Sequence, residues 1–217
     1  IRTPLNGLLG MLQLLEDTTL DDEQADYVTT ALRSGRRLTA LLGDILDLAR
    51  VEAGKLSLSR EPFDLRDVFA AVSDTFGPVC RERGLGLLLH QDPALPRSLL
   101  GDEVRVRQVI FNVVGNAVKF TERGAIRVEA YPLPSPLPGA ARVFFTVADT
   151  GIGIPEEKLD SIFDSFIQAD SAATRKFEGA GLGLAIVKNL VELMVGHIVV
   201  ETGRGEGVPV SFCLRLG

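Results

Sequence analysis

Two amphipathic stripes at the start of the chain constrain its fold more than any other feature. Over residues 3–17, leucines recur at spacings of three and four, the pattern of one apolar helix face: Leu5, Leu8, Leu9, Leu12 and Leu15. A polar turn follows, in which Asp21 is a suitable N-cap, and a second stripe continues to Ala49 and predicts a longer helix. Such a hairpin cannot cover both stripes by itself. Either a second copy completes a four-helix bundle, or the hairpin packs on the rest of the same chain.

Composition excludes several classes of protein. The chain has 217 residues, of which 46% are hydrophobic, and a net charge of -6. This balance favours a folded protein of two unequal units and disfavours nucleic acid as a partner, because nucleic-acid binders carry a basic surface. No apolar run reaches the ~18 residues that cross a bilayer, so we expect no membrane contact from this piece, although its parent protein could still be anchored.

The cysteines and histidines carry no sign of a metal or disulfide framework. Cys80 and Cys213 are isolated, which fits a reducing, cytoplasmic compartment. His90 and His197 lie in apolar, strand-like segments without metal-ligand spacing. We therefore interpret both as structural histidines.

The pattern after Gly54 predicts a separate α/β domain over residues 55–217. Residues 55–65 alternate like an edge strand, and Asp64 is placed to cap a helix. Further strands are expected near 85–90, 125–131, 142–149, 197–202 and 208–215, and further helices near 103–119 and 182–194. Residues 164–180 are polar and aperiodic, which is typical of a functional loop.

Three amides share one face of the predicted helix at 103–119. Gln108, Asn112 and Asn116 stand at i, i+4 and i+8 within an otherwise apolar surface. Asparagine is a poor helix former and a buried amide requires hydrogen-bond partners. A magnesium ion bound with a nucleotide would explain the row, because this ion accepts neutral oxygen ligands while phosphates supply the charge. Solvent-facing asparagines remain the alternative.

A carboxylate ends the apolar strand VFFTVAD. Asp149 runs directly into TGIGIP, whose glycines permit close backbone approach. An aspartate at such an edge can accept a hydrogen bond from the amino group of adenine and would repel the carbonyl of guanine. The same Asp-Thr-Gly also occurs in aspartic protease dyads, but no paired carboxylate or flap accompanies it here.

A glycine series precedes the last predicted helix. Gly179, Gly181 and Gly183 lie where backbone amides at a helix start can bind phosphate, and Arg175 and Lys176 add positive charge. The spacing is neither a dinucleotide fingerprint nor a P-loop. By themselves the glycines could equally cap a hinge.

The order of these segments is more specific than any one of them. IRTPLNGLLG, NVVGNAVKFT, DTGIGIP, IFDSFIQAD and GAGLGLAI occur in series, and this series resembles the sensor histidine kinase family, with similarity to its hybrid type, over nearly the whole chain. The resemblance implies an α+β fold. Residues 1–54 would be a dimerisation and histidine-phosphotransfer hairpin, forming a dimeric four-helix bundle. Residues 55–217 would be an α/β sandwich, a mixed sheet covered by helices, of the gyrase, heat-shock chaperone, histidine kinase and mismatch-repair ATPase fold.

The resemblance also implies roles for individual residues. Asn112 and Asn116 would act at magnesium and the phosphates, with Asn116 the metal ligand, and Lys119 would reach toward phosphate. The adenine pocket would use Phe120, Asp149, Gly151, Gly153, Ile154 and Leu184; Phe163 and Phe166 would position the lid; and Arg175, Gly179, Gly181, Leu182 and Gly183 would serve the phosphates. Thr3 matches a position that orients a dephosphorylating water.

The implied activity is transfer of the γ-phosphoryl of Mg-ATP to a histidine and then to an aspartate on a response regulator receiver domain, by a homodimer. In the family, His-Glu precedes Ile-Arg-Thr-Pro-Leu-Asn-Gly, so the acceptor histidine is expected two residues before Ile1. Three features depart from the family: Gly207-Val208-Pro209-Val210 replaces Gly-Ser-Thr-Phe, Glu178 stands where glycine is common, and Val195 replaces a glycine.

Two other functions are compatible with parts of the pattern. A kinase-like dimeric scaffold would hold nucleotide without phosphoryl transfer. A related ATPase of the gyrase, mismatch-repair or heat-shock chaperone type would share the nucleotide fold, but these proteins lack the IRTPLNG hairpin.

Overall fold

The chain divides between Gly54 and Lys55 into two units. The fold is that of a computed structural model, which describes residues 2–135, 140–164, 181–201 and 207–217. Along these residues no helix is both long and apolar enough to cross a membrane.

The first unit is the predicted helical hairpin. It consists of α1 (Arg2–Glu16) and α2 (Asp22–Glu52). Asp21 begins α2 as predicted, because its carboxylate accepts a 2.8 Å hydrogen bond from the N–H of Gln24, whose side chain in turn accepts one from the N–H of Asp21. The helices approach closely where Leu9 meets Gly35: a methyl group on that glycine would lie 2.6 Å from the leucine side chain.

One hairpin buries only part of its apolar surface. Leu32 is 2% exposed and lies in the core of the hairpin. Among the described residues of the hairpin, eight large apolar side chains remain exposed, and we call them the open hairpin surface: Leu8, Met11, Leu14, Leu15, Tyr27, Leu38, Ile45 and Leu46. The apolar stripes therefore exceed what a single hairpin covers.

The second unit contains helices α3 (Leu65–Glu82), α4 (Glu103–Phe120) and α5 (Gly183–Leu193). Its strands are β1 (Glu61–Phe63), β2 (Gly86–Gln91), β3 (Leu99–Gly101), β4 (Ala125–Leu133), β5 (Ala141–Asp149), β6 (His197–Val200) and β7 (Val210–Leu216). Within the described ranges, a two-stranded sheet pairs β1 with β3, and five strands form a mixed sheet in the order β2-β4-β5-β7-β6. β2 and β4 are parallel, whereas the other neighbours are antiparallel.

The edge strand predicted over residues 55–65 was too long, since only Glu61–Phe63 forms a strand. The N–H of Ser59 donates a 3.0 Å hydrogen bond to the side chain of Asp102 instead of joining a ladder. Pro62 carries no N–H to extend the pairing. The carboxylate of Asp102, which is distant in sequence, therefore takes the place of the expected strand partner of Ser59.

The three helices cover one face of the mixed sheet, because alternate strand residues are apolar and buried on that side. Ile126, Val128 and Ala130 of β4 are fully buried, while Arg127 between them is exposed. α4 packs on β4 and β5 and also contacts both α3 and α5. The mixed α/β architecture expected from the resemblance is confirmed.

Candidate functional site

The amide row predicted on α4 forms in the structure. Asp102 caps the helix by accepting a 3.1 Å hydrogen bond from the N–H of Arg105. The apolar side of the helix is buried and comprises Val106, Val109, Ile110, Val113, Val114, Ala117 and Val118. Asn112 and Asn116 lie on the other side and are half-buried, so they are not the solvent-facing residues of the alternative interpretation.

The two asparagines meet the start of α5. A methyl group on Gly183 would lie 3.7 Å from Oδ1 of Asn112 and 3.9 Å from Nδ2 of Asn116. Nδ2 of Asn112 is fully buried, and in the described part of the chain it has no hydrogen-bond partner. Such an unsatisfied donor costs about 1–3 kcal/mol of stability, so this amide is placed for a partner that the described residues do not supply.

The beginning of α5 presents backbone donors in the same place. Leu182 is buried and Gly181 adopts a positive φ of 67°, which glycine tolerates. In the region described, no side chain caps this helix. Its first N–H groups and the positive end of its dipole therefore lie next to Asn112 and suit an anion.

Asp149 stands at the end of β5 in a half-buried position. Its Oδ1 accepts a 2.7 Å hydrogen bond from the N–H of Gly151, and the N–H of Val208 also donates to this carboxylate. Burial raises the pKa of the Asp149 carboxyl above its usual 3.8, and the two backbone hydrogen bonds oppose the rise. The result is a shielded acceptor whose orientation is held by the backbone.

Glycines bring three backbone segments together around this carboxylate. A methyl group on Gly151 would lie 2.5 Å from the carbonyl oxygen of Phe120. Gly207, with φ of 81°, lies so close to the Asp149 carbonyl that no side chain fits there. Gly153 has φ of 75° and turns the chain toward Ile154, which is half-buried.

The end of α4 borders the loop that follows β5, residues 150–154, which we call the Asp149 loop. The Phe120 carbonyl accepts a 3.4 Å hydrogen bond from the N–H of Ile152. Nζ of Lys119 lies 4.7 Å above the ring of Phe120, within the range of a cation–π interaction. The cationic and aromatic side chains expected near a nucleotide thus share the last turn of the helix.

The structure brings six of the predicted residues together in two groups. One contains Asn112, Asn116 and Gly183, and the other contains Phe120, Asp149 and Gly151. Leu184 is half-buried at the start of α5.

The remaining predicted residues include some on other parts of the chain and some outside the described residues. Phe163 is half-buried, with Nζ of Lys188 5.6 Å from its ring. Phe166, Arg175 and Gly179 fall outside the described residues. Thr3 is exposed on α1, in the hairpin unit.

Sequence reasoning missed two supports of the Asp149 loop. The hydroxyl of Thr150 donates a 2.9 Å hydrogen bond to the Arg123 carbonyl and accepts one from the N–H of Ala125. The other support is the N–H of Val208. Gly124 signals a tight turn before β4, but nothing in the local sequence indicates that Thr150 closes it.

No cluster of three or more acidic, histidine or cysteine side chains that would hold a metal occurs within the described residues. A divalent ion here would depend on amide oxygens and on a ligand that brings its own negative charge. The half-buried amide of Asn116, beside the buried amide of Asn112, fits that chemistry, because Mg²⁺ takes few protein ligands and shares phosphate oxygens.

Comparisons with known protein families match parts of both units of the chain. Residues 1–54 match the His Kinase A (phospho-acceptor) domain, and residues 101–217 match the family described as histidine kinase-, DNA gyrase B-, and HSP90-like ATPase. The chain belongs to the histidine kinase family.

Several relatives resemble this histidine kinase core along nearly its whole length. The autoinducer 2 sensor kinase/phosphatase LuxQ of Vibrio cholerae is 42% identical over 95% of the chain, which spans 24% of that relative. The sensory/regulatory protein RpfC of Xanthomonas campestris is 40% identical over 95% of the chain and 28% of its own length. The core thus spans about a quarter of these curated relatives.

A solved structure supports the same fold. ShkA, crystallised at full length with AMPPNP, superposes on this chain with a TM-score of 0.82 and 40% sequence identity. The superposition covers 100% of this chain and 44% of the ShkA chain. The family matches and the sensor kinase name of LuxQ favour a histidine kinase over the scaffold alternative.

Proposed function

We propose that this histidine kinase core binds Mg-ATP between α4, the end of β5 and the start of α5, and that it donates the γ-phosphoryl group to a histidine. The observation that carries this proposal is the buried Nδ2 of Asn112, which has no partner in the described residues and lies beside the first turn of α5. A phosphate oxygen supplies the acceptor that this donor lacks. The N–H groups of Gly181 and Gly183 donate to the same phosphates, with Gly179 and Arg175 completing the loop.

The adenine base occupies the region of Asp149. Its amino group donates to the shielded carboxylate, while Gly151 and Gly153 leave room for the ring. Phe120, Ile154 and Leu184 wall the pocket, and Phe166 would position the lid. Because the carboxylate has no proton to donate, guanine would leave its carbonyl unpaired, and the site selects adenine.

The chemistry is phosphoryl transfer. The imidazole nitrogen of an acceptor histidine forms a bond to the γ-phosphorus as the bond to the bridging oxygen breaks, and ADP leaves. Asn116, with Asn112, would hold the magnesium ion, which when bound offsets the charge of the phosphates. Lys119 neutralises further charge, and the helix amides orient the nucleotide.

The hairpin serves as the dimerisation and phosphotransfer unit. A second copy covers the open hairpin surface and completes a four-helix bundle. The phosphoryl group then passes to an aspartate on a response regulator receiver domain, and Thr3 orients the water that reverses phosphorylation. The kinase core operates in the cytoplasm, and its partners include neither nucleic acid nor the membrane.

Replacing Asn112 with leucine separates this proposal from a structural role. Leucine has a similar volume and removes the unsatisfied donor, so Asn112→Leu is expected to raise the free energy of unfolding by ~1 kcal/mol while abolishing Mg-AMPPNP binding. Thermal denaturation and calorimetry measure the two effects. Asn189→Leu, at a half-buried position of α5, is the control. A variant that is destabilised but binds normally would show that Asn112 has only a structural role.

A further inference from the structure

The C-terminus of α3 ends at a defined residue, its C-cap Arg83. Gly84 has φ of 67°, and its N–H donates to the Arg81 carbonyl while the N–H of Leu85 donates to that of Cys80. This is the Schellman arrangement, which stops a helix at a defined residue. Arg83 is therefore held as the C-cap, and its side chain leaves the helix in a fixed direction.

The guanidinium of Arg83 connects α3 to α4. Nη1 donates a 2.5 Å hydrogen bond to the carbonyl of Val118, and Nη2 donates a 3.0 Å hydrogen bond to the carbonyl of Thr121. These carbonyls belong to the last turn of α4, where the helix dipole places negative charge. A planar fork with several donors suits two separate carbonyls, whereas an ammonium group offers a single point of charge.

The two carbonyls flank the residues that border the nucleotide site. Lys119 and Phe120 lie between Val118 and Thr121 in the chain, so the guanidinium holds the turn on both sides of them. Thr121 is fully buried and its hydroxyl donates to the Ala117 carbonyl at 2.7 Å, which ties the same turn from within.

The last turn of α4 also contacts the Asp149 loop. The Phe120 carbonyl accepts from the N–H of Ile152, and it is the atom that a side chain at Gly151 would strike. Rotation of this carbonyl would break its hydrogen bond or press on Gly151, whose N–H orients Asp149. Arg83 is therefore linked to the carboxylate in three steps: its hydrogen bonds to residues 118 and 121, the Phe120–Ile152 hydrogen bond, and the N–H of Gly151 that orients Asp149.

We propose that Arg83 is a positioning residue for the nucleotide site. By holding the last turn of α4 in place, Arg83 positions Lys119 and Phe120 and maintains the conformation of the Asp149 loop. Arg83 itself does not contact the nucleotide. This inference rests on the proposed ATP site. It assigns a nucleotide-binding role to α3, a helix outside that site.

The test compares Arg83→Met, which keeps the aliphatic stem but loses both hydrogen bonds, with Arg83→Lys, which retains one donor group. We expect Arg83→Met to weaken Mg-AMPPNP binding about tenfold and Arg83→Lys to weaken it less, as measured by calorimetry on the whole chain. Arg81→Met, at an exposed position on the same helix, is the matched control and should bind as the wild type does. Thermal denaturation without nucleotide monitors the fold.

Amide hydrogen exchange supplies a readout that general destabilisation would not produce. In Arg83→Met we expect faster exchange at Thr121 and Ile152, with no change in the α5 core at Leu190. Wild-type affinity in a folded Arg83→Met protein, or equal losses in Arg81→Met, would overturn the proposal. If Arg83→Met does not fold, unchanged affinity and exchange in Arg83→Lys would overturn it. Failure of the wild type to bind would reject the ATP site alone, and exchange at Ile152 would still decide whether Arg83 braces the turn.

Discussion

The carboxylate of Asp149 is oriented by the backbone of Gly151, whose N–H donates to it at 2.7 Å. The same glycine lies against the Phe120 carbonyl, where a side chain would not fit. One short loop thus joins the acceptor at the end of β5 to the last turn of α4.

Asp149→Asn is expected to weaken ATP binding by ~10- to 150-fold, because a charged acceptor facing the adenine amino group becomes a neutral amide and the lost bond contributes ~1.5–3 kcal/mol. Isothermal titration calorimetry measures the change. Asp74→Asn, at an exposed position of α3, should have no effect. Unchanged affinity, or a wild-type preference for GTP, would refute the assignment of Asp149.

ATP affinity is expected to fall in mildly acidic solution, since burial raises the pKa of Asp149 above 3.8 and only the carboxylate accepts from adenine. The nucleotide-free fold has the opposite dependence. The folded chain holds the Asp149 proton more tightly than the unfolded chain, so this contribution to stability is present below the ordinary pKa and is lost as pH rises through the raised one. Calorimetry across pH 4–7 should show that the ATP affinity of the wild type falls toward acidic pH, whereas the affinity of Asp149→Asn does not. An equal fall in that variant would contradict the interpretation.

The chain is expected to be a dimer in solution, with a mass twice the 23.4 kDa of one copy. Leu8, Met11 and Leu15 share one side of α1 at i, i+3 and i+7, and they are exposed in the single copy. Met11→Glu with Leu15→Glu should weaken association at least ~100-fold, because each apolar side chain contributes ~1.5 kcal/mol or more when buried.

Light scattering over a range of concentrations measures this association. Val104→Glu, which changes an equally exposed apolar residue on α4, should leave the mass unaltered. A wild-type mass that stays monomeric at every concentration would remove the dimer proposal.

This chain is expected to bind Mg-ATP without labelling itself on histidine. It has two histidines, and both are exposed on strands of the second unit, His90 on β2 and His197 on β6. Transfer requires a nucleophile held in near-attack geometry, and the hairpin carries no imidazole. Incubation with γ-labelled ATP should leave no acid-labile phosphate on the chain.

Adding Ser-His-Glu ahead of Ile1 should restore that labelling. This result requires that the Val208-Pro209 segment, which lacks the hydroxyl residues of the family but supports Asp149 through the backbone N–H of Val208, has not disabled the pocket. Labelling of the unextended chain would show that the acceptor has been misplaced. An extended chain that binds ATP and stays unlabelled would favour the scaffold function.

The sequence by itself determined the features that depend on local periodicity. The helical repeat placed Asn112 and Asn116 on one face of α4, because residues four apart lie one above the other. The alternating strand predicted Asp149 at the end of β5, and the two leucine stripes predicted the hairpin. In each case the period of the apolar pattern was enough.

Only the tertiary structure decided which distant groups meet. Ser59 donates to Asp102, 43 residues away, so the expected long edge strand did not form. Arg83 lies 35 and 38 residues from the carbonyls that it holds, and Gly183 meets Asn112 only because α5 packs against α4. The local pattern indicates which side chains can act; the packing of separate elements determines where they act, because hydrogen bonds and close contacts depend on distance in space.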